Sequence, residues 1–200
     1  MLIHSYLDLP AFRHLEGTEN HNLITQENSQ INASLPKRLP TQHGIEMGII
    51  SYVRTIADPK YTDYVLSLIP ELKDSIAEIG FQIGANYTKH PDGSQFLPHT
   101  DGKRGKFCIH WNFSTGGDDT TTYWWQEDNQ PLIREPWTKR INYHQFTEVD
   151  KIVWQAERWG IFRTDILHGI NPIRTERGAF NIGFNNEDLF HYIVEKYGVE

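Results

Sequence analysis

The chain has 200 residues, 38% of them hydrophobic, a formal net charge of −7 at pH 7 and a single cysteine, Cys108. That length suits one domain with a core that needs no disulfide staples, and a lone cysteine excludes both an intrachain disulfide and the CxxC zinc or redox motifs. Scattered Lys and Arg on an acidic chain disfavour binding to a nucleic-acid backbone. No run approaches the roughly 18 apolar residues of a membrane span. Residues Met1–Asp8 lack a basic stretch followed by an apolar one, so the expected location is cytoplasmic.

In chain order, residues 17–44 are rich in Asn, Gln, Thr and Pro and predict a long irregular arm. Residues 44–53 read as a strand. Asp58-Pro59 is a helix start, with Asp as N-cap and Pro at the first helical position. Tyr61, Tyr64, Val65, Leu68 and Ile69 then recur at helical spacing. Pro70 predicts a kink, after which Leu72, Ile76 and Ile79 continue the stripe up to Gly80. Beyond Gly80 the period becomes two, and residues 81–88 predict a strand. A turn at Pro91-Asp92-Gly93 precedes Phe96-Leu97-Pro98 and the stretch His99-Thr100-Asp101. The short basic run Lys103-Arg104-Gly105-Lys106 reads as a solvated turn, or as a rim that attracts an anionic substrate.

Residues 106–113 predict a strand with Phe107, Ile109, Trp111 and Phe113 on one face and Cys108, His110 and Asn112 on the other. Further strands are expected at 120–126, 146–155, 159–164 and 177–184, with a proline-bearing loop at 127–142. Trp124 and Trp125 point to opposite faces of their strand, so only one of them can line a pocket. Asn186 opens a C-terminal helix in which Leu189, Tyr192 and Ile193 share a face. Short strands joined by Gly, Pro and Asp turns, with helices to one side, predict a mainly β fold with flanking helices, a jelly roll enclosing a pocket between two sheets. The expected organisation is one domain over 1–200. Residues 1–80 form an arm, strand and supporting helices, 81–185 the jelly-roll core, and 186–200 the C-terminal helix.

His99 and Asp101 stand two apart, so on an extended segment they face the same side. His168 lies far along the chain in Asp165-Ile166-Leu167-His168-Gly169-Ile170. Two histidines and one carboxylate make the ligand set of a facial-triad metal site that leaves positions open for chemistry. Arg177, nine residues past His168, starts an alternating strand whose same face carries Ala179, Asn181 and Gly183. Small residues beside an arginine leave room for a ligand, and a guanidinium suits a two-pronged grip on a carboxylate.

Three motifs, His99-Thr100-Asp101, His168-Gly169-Ile170-Asn171-Pro172 and Arg177-Gly178-Ala179-Phe180-Asn181-Ile182, resemble those of the Fe(II)- and 2-oxoglutarate-dependent dioxygenases, whose prolyl and aspartyl/asparaginyl hydroxylases are similar branches. The resemblance covers about residues 81–185. It implies a double-stranded β-helix, a cupin-like jelly roll, with iron held by His99, Asp101 and His168. It also implies a basic residue on the far carboxylate of 2-oxoglutarate, Arg177, with Arg174 in the connecting loop as its competitor. His110 matches a histidine that helps hold the near carboxylate in the aspartyl/asparaginyl branch, and Asn86 and Tyr87 lie on a strand that should neighbour the site. The implied cofactors are Fe(II), 2-oxoglutarate and O2. Related halogenases have Gly or Ala at the carboxylate position, so Asp101 argues for hydroxylation or a related oxidation and against halogenation.

The aromatic and polar mixture of the long loops suits an amino acid, a peptide side chain or a small metabolite as substrate. No nucleic-acid or membrane partner is expected. The alternatives are a cupin with a different metal, although such sites usually show HxH where this chain has HxD, and a non-catalytic ligand-binding jelly roll.

Overall fold

The structure is a computed structural model that describes residues 1–13, 15, 49–55, 59–86, 94–101, 104–127 and 146–199, of which 49–55, 83–86, 94–97 and 127 are described by their backbone alone. The elements in order are β1 (His4–Leu7), β2 (Ile49–Thr55), α1 (Pro59–Leu68), a short 3-10 turn (Pro70–Leu72), β3 (Ile76–Asn86), β4 (Ser94–His99), β5 (Phe107–Thr115), β6 (Thr121–Glu127), β7 (Phe146–Ile152), β8 (Trp159–Arg163), β9 (Leu167–Ile173), β10 (Arg177–Phe184), α2 (Glu187–Tyr197) and β11 (Gly198–Val199). The expected arm at 17–44 and the Pro91-Asp92-Gly93 turn lie outside the described residues, as does all but the first residue of the loop expected at 127–142.

Two antiparallel sheets carry the fold. The larger has the order β11-β1-β8-β5-β10-β3-β2, and the smaller β4-β9-β6-β7. Strands β3 to β10 pass between the sheets so that β8-β5-β10-β3 face β4-β9-β6-β7, which is the double-stranded β-helix, or jelly roll. β1 and β11 extend the larger sheet past β8, and β2 extends it past β3. No helix among the described residues is long and apolar enough to cross a membrane.

Strand alternation divides the large sheet into an outer and an inner face. On the outer face Ile79, Phe81, Phe107, Ile109, Trp111, Trp159, Ile161, Phe180, Ile182 and Phe184 pack with Tyr61 and Val65 of α1 and with Phe190 and Ile193 of α2. Burying each large side chain here contributes about 1.5–3 kcal/mol relative to exposure. Phe12 lies in the same layer, its ring 4.8 Å from that of Phe180 and 5.2 Å from that of Phe113. The inner face carries the complementary residues, among them Cys108, His110, Asn112, Gly160 and Phe162. A second apolar cluster of Ile3, Cys108, Trp124, Trp154 and Phe162 closes part of the space between the sheets.

The helical stripe expected through Leu72, Ile76 and Ile79 to Gly80 is not helix. After the 3-10 turn the backbone at Asp74 takes φ +66°, which ends helical geometry, and Ile76 already begins β3. The spacing of these residues suits either structure, and pairing along nearly the whole length of β10 decides for the strand. Gly80 sits mid-strand, opposite Asn181 and Thr55. In α2 the buried face is formed by Phe190 and Ile193, whereas Tyr192, expected to share it, is 46% exposed, with the Lys196 ammonium over its ring. Asn186 caps the helix as expected, its side chain accepting from the N–H of Leu189 at 3.1 Å.

Candidate metal centre and its pocket

His99 ends β4 and His168 is the second residue of β9, and the two are direct cross-strand partners. The strand expected at 159–164 is followed by one that was not expected, and that second strand carries His168. β8 ends at Arg163, a turn follows, and His168 lies within β9 itself. The imidazole rings stand 4.6 Å apart between centroids. Asp101, just past β4, brings its Oδ1 to 3.6 Å from Nε2 of His99. The candidate donor atoms of His99, Asp101 and His168 all lie within 4.8 Å of one another, so small side-chain rotations would bring all three onto a single ion.

Hydrogen bonds orient two of these groups. Nδ1 of His168 is 2.9 Å from the backbone oxygen of Ile166. A proton on Nδ1 completes that bond and leaves the Nε2 lone pair free to bind a metal, the usual arrangement of a ligating histidine. The N–H of Asp101 donates to the backbone oxygen of Thr164 at 3.2 Å. Burial and the neighbouring His99 depress the pKa of His168 to about 4, so the ring is neutral near pH 7, as a ligand must be.

Arg177 opens β10 and is 7% exposed. No carboxylate pairs with its guanidinium among the described residues. Burial draws its pKa down to about 10, against the attraction of the Asp101 carboxylate. Arg174 is different in kind. It lies on the surface and grips Asp119 through two nitrogens, with Nε 3.0 Å from Oδ1 and Nη2 2.8 Å from Oδ2. That pairing holds the Asp119 carboxyl below its usual range.

His110 and Asn112 are fully enclosed on the inner face of β5. Nε2 of His110 and both amide atoms of Asn112 have no hydrogen-bond partner among the described residues. A buried amide left unpaired costs about 1–3 kcal/mol per group, so such residues are found where something else completes them. Burial, and then the charge of Arg177, hold the His110 pKa well below its ordinary value. The His110 ring packs edge-on against Trp154 and Phe162, at 4.4 and 5.0 Å. It has room only because its cross-strand partner is Gly160, where a Cβ would come within 2.6 Å of Nε2. Trp124 is the fully buried member of the tryptophan pair, its Nε1 donating to the backbone oxygen of Arg163 at 3.0 Å, while Trp125 stacks on Tyr123.

Burial pushes the Cys108 thiol well up, so it stays protonated. Asn181 donates to Gln82 at 3.2 Å and shares a cleft with Asp101, Arg104 and Cys108. Tyr87 and the side chain of Asn86 lie outside the described residues. Sequence reasoning missed the two carbonyls, of Thr164 and Ile166, that orient Asp101 and His168. Side-chain patterning carries no signal for a backbone acceptor.

The chain matches no family model and no curated protein sequence. Among solved structures it is similar to a prolyl-4-hydroxylase from Pseudomonas putida, at 12% identity over 90% of this chain and 94% of that one, with a TM-score of 0.41. It is likewise similar to an oxidoreductase of the 2OG-Fe(II) oxygenase family from Burkholderia pseudomallei, at 12% identity over 86% and 91%, TM-score 0.41. A non-heme monooxygenase, ThoJ, aligns at 13% identity over 61% of this chain, with a TM-score of 0.35, and the chain spans about half of it, 52%.

Proposed function

We propose that the protein is an Fe(II)- and 2-oxoglutarate-dependent oxygenase that hydroxylates an amino acid, a peptide side chain or a small metabolite. The observation that carries this reading is the gathering of His99, Asp101 and His168 within 4.8 Å at one end of a jelly roll whose interior holds a buried arginine, Arg177, with no carboxylate partner among the described residues. Two imidazoles and one carboxylate suit Fe(II) and leave adjacent positions free.

With iron, 2-oxoglutarate and O2 bound, the site would supply an oxidant able to attack a C–H bond, with succinate and CO2 as coproducts. The chain's own residues do the remaining work. His99, Asp101 and His168 hold the ion, and the Ile166 carbonyl keeps Nε2 of His168 turned toward it. Arg177 takes the far carboxylate of the cosubstrate, where burial strengthens a charge-assisted pair. His110 and Asn112, enclosed and with ring and amide atoms unpaired among the described residues, offer neutral polar contacts to the same ligand. Trp124, Trp154 and Phe162 keep bulk water out of the space between the sheets. Asp101 fills the carboxylate position that halogenases leave open, which favours hydroxylation.

The test is anaerobic addition of Fe(II) and 2-oxoglutarate to the purified protein. A weak visible charge-transfer band is expected, and His99→Ala should abolish it. A protein that binds neither, and never converts 2-oxoglutarate to succinate with any of a panel of free amino acids and peptides, would end this reading.

A further inference from the structure

A single turn touches two of the three candidate ligands. The turn between β8 and β9 presents the Thr164 oxygen to the N–H of Asp101 and the Ile166 oxygen to Nδ1 of His168. Between those two carbonyls stands Asp165, whose carboxylate receives both prongs of the Arg163 guanidinium, Nε at 3.0 Å and Nη2 at 2.9 Å. The remaining prong of Arg163 reaches Glu187, the first residue of α2, at 2.7 Å. Arg163 itself is 7% exposed, with its guanidinium 5.0 Å from the centre of the Phe107 ring. The other side of the turn is tied down as well. The N–H groups of Thr164 and Asp165 both donate to the Lys106 oxygen, and the Thr164 hydroxyl donates to the Gly105 oxygen.

A bidentate fork from residue 163 to residue 165 restricts the rotation of the peptides between them more than a single bond would. Those peptides aim the two carbonyls. We propose that Arg163, acting through Asp165, is a positioning residue for the metal centre, fixing the turn whose carbonyls orient Asp101 and His168. This rests on the reading of His99, Asp101 and His168 as a metal site. The Glu187 arm ties the same guanidinium to α2 without touching the turn, which separates orientation from stability.

The experiment titrates Co(II), a spectroscopic probe suited to the same nitrogen and oxygen ligands, into wild type, Asp165→Ala, Asp165→Asn and Glu187→Gln. Each variant is first melted without metal to establish that it is folded. Outer-shell partners of metal ligands are typically worth 10–100-fold in affinity. Asp165→Ala is expected to bind Co(II) about 10-fold more weakly, with an altered visible spectrum, at the low end of that range. Asp165→Asn, which keeps one acceptor for Arg163, should fall between it and wild type, and it carries the same test if Asp165→Ala does not fold. Glu187→Gln should lower the melting temperature while leaving Co(II) affinity and spectrum as in wild type. Unchanged affinity and spectrum in the Asp165 variants would overturn the proposal, and so would an equal loss in Glu187→Gln. If wild type takes up no Co(II), the metal reading itself fails, a result distinguishable from failure of the turn alone.

Discussion

Arg177 and Arg174 show how little a residue's type says and how much its surroundings say. The two stand three apart in sequence, and either could serve an anion. Arg174 already has an anion, Asp119, and is 42% exposed in that pair, so solvent screens the interaction and it contributes little. Arg177 is enclosed, with no such partner among the described residues. Arg177→Ala should therefore weaken 2-oxoglutarate binding by about 10- to 100-fold, the scale of a lost charge-assisted bond, while Arg174→Ala changes it by less than about threefold. Isothermal titration of both variants checks this, and the reverse order would move the carboxylate anchor to Arg174. His99 and Asp101 were legible from their spacing, and Arg177 from its place at the head of an alternating strand. The unpaired amide of Asn112 was not, because a sequence shows which face a residue takes but not whether its hydrogen bonds are met.

At the level of elements, alternation in β5 and β10 predicted both faces correctly. An apolar face against helices and a polar face around a cavity leave one register open. The stretch from Leu72 to Gly80 misled because Ile76 and Ile79 suit a helix or an outward strand face equally, and only the distant β10 arbitrates. The segment leading from Asp101 into β5 is set by Gly105. Its φ is +138°, and a Cβ there would stand 2.6 Å from the backbone nitrogen of Phe184. No flexible side chain can yield, so backbone must move. Gly105→Ala should destabilise the protein by about 1–3 kcal/mol, by strain and close approach together. It should also weaken metal binding, since the Thr164 hydroxyl and the turn behind it are anchored on the Gly105 carbonyl. Chemical denaturation reads the first effect and Co(II) titration the second. A melting curve and affinity like those of wild type would contradict both.

For the molecule as a whole, the polar interior has a pH signature. His110 is buried neutral, with its pKa held well below the ordinary value near 6.5 by burial and by Arg177, and His168 is shifted the same way. In the unfolded chain both would titrate near 6.5. Above that pH both states carry neutral rings and stability is unaffected. As pH falls below about 6.5 the unfolded state binds protons that the folded state refuses, so stability declines with falling pH. Metal-free protein should therefore lose melting temperature steadily from about pH 6.5 toward pH 4, and His110→Gln should lose less of it. A His110→Gln variant with a pH profile parallel to that of wild type would remove His110 from this account. The overall plan, a jelly roll with helices on one side, was readable because strand length, turn residues and face patterning agree with one another. The loops that would select a substrate follow no such periodicity, and sequence patterning left them open.

The pairing of His99 with His168 joins β4 to β9, strands separated along the chain by four other described strands, β5 to β8. Neither local segment can hold an ion alone. The donor set comes into being only when the chain has wound through both sheets and β9 has slotted between β4 and β6. A coloured metal ion added during refolding would consequently report the closure of the barrel, and would stay silent while hairpins such as β6–β7 form on their own.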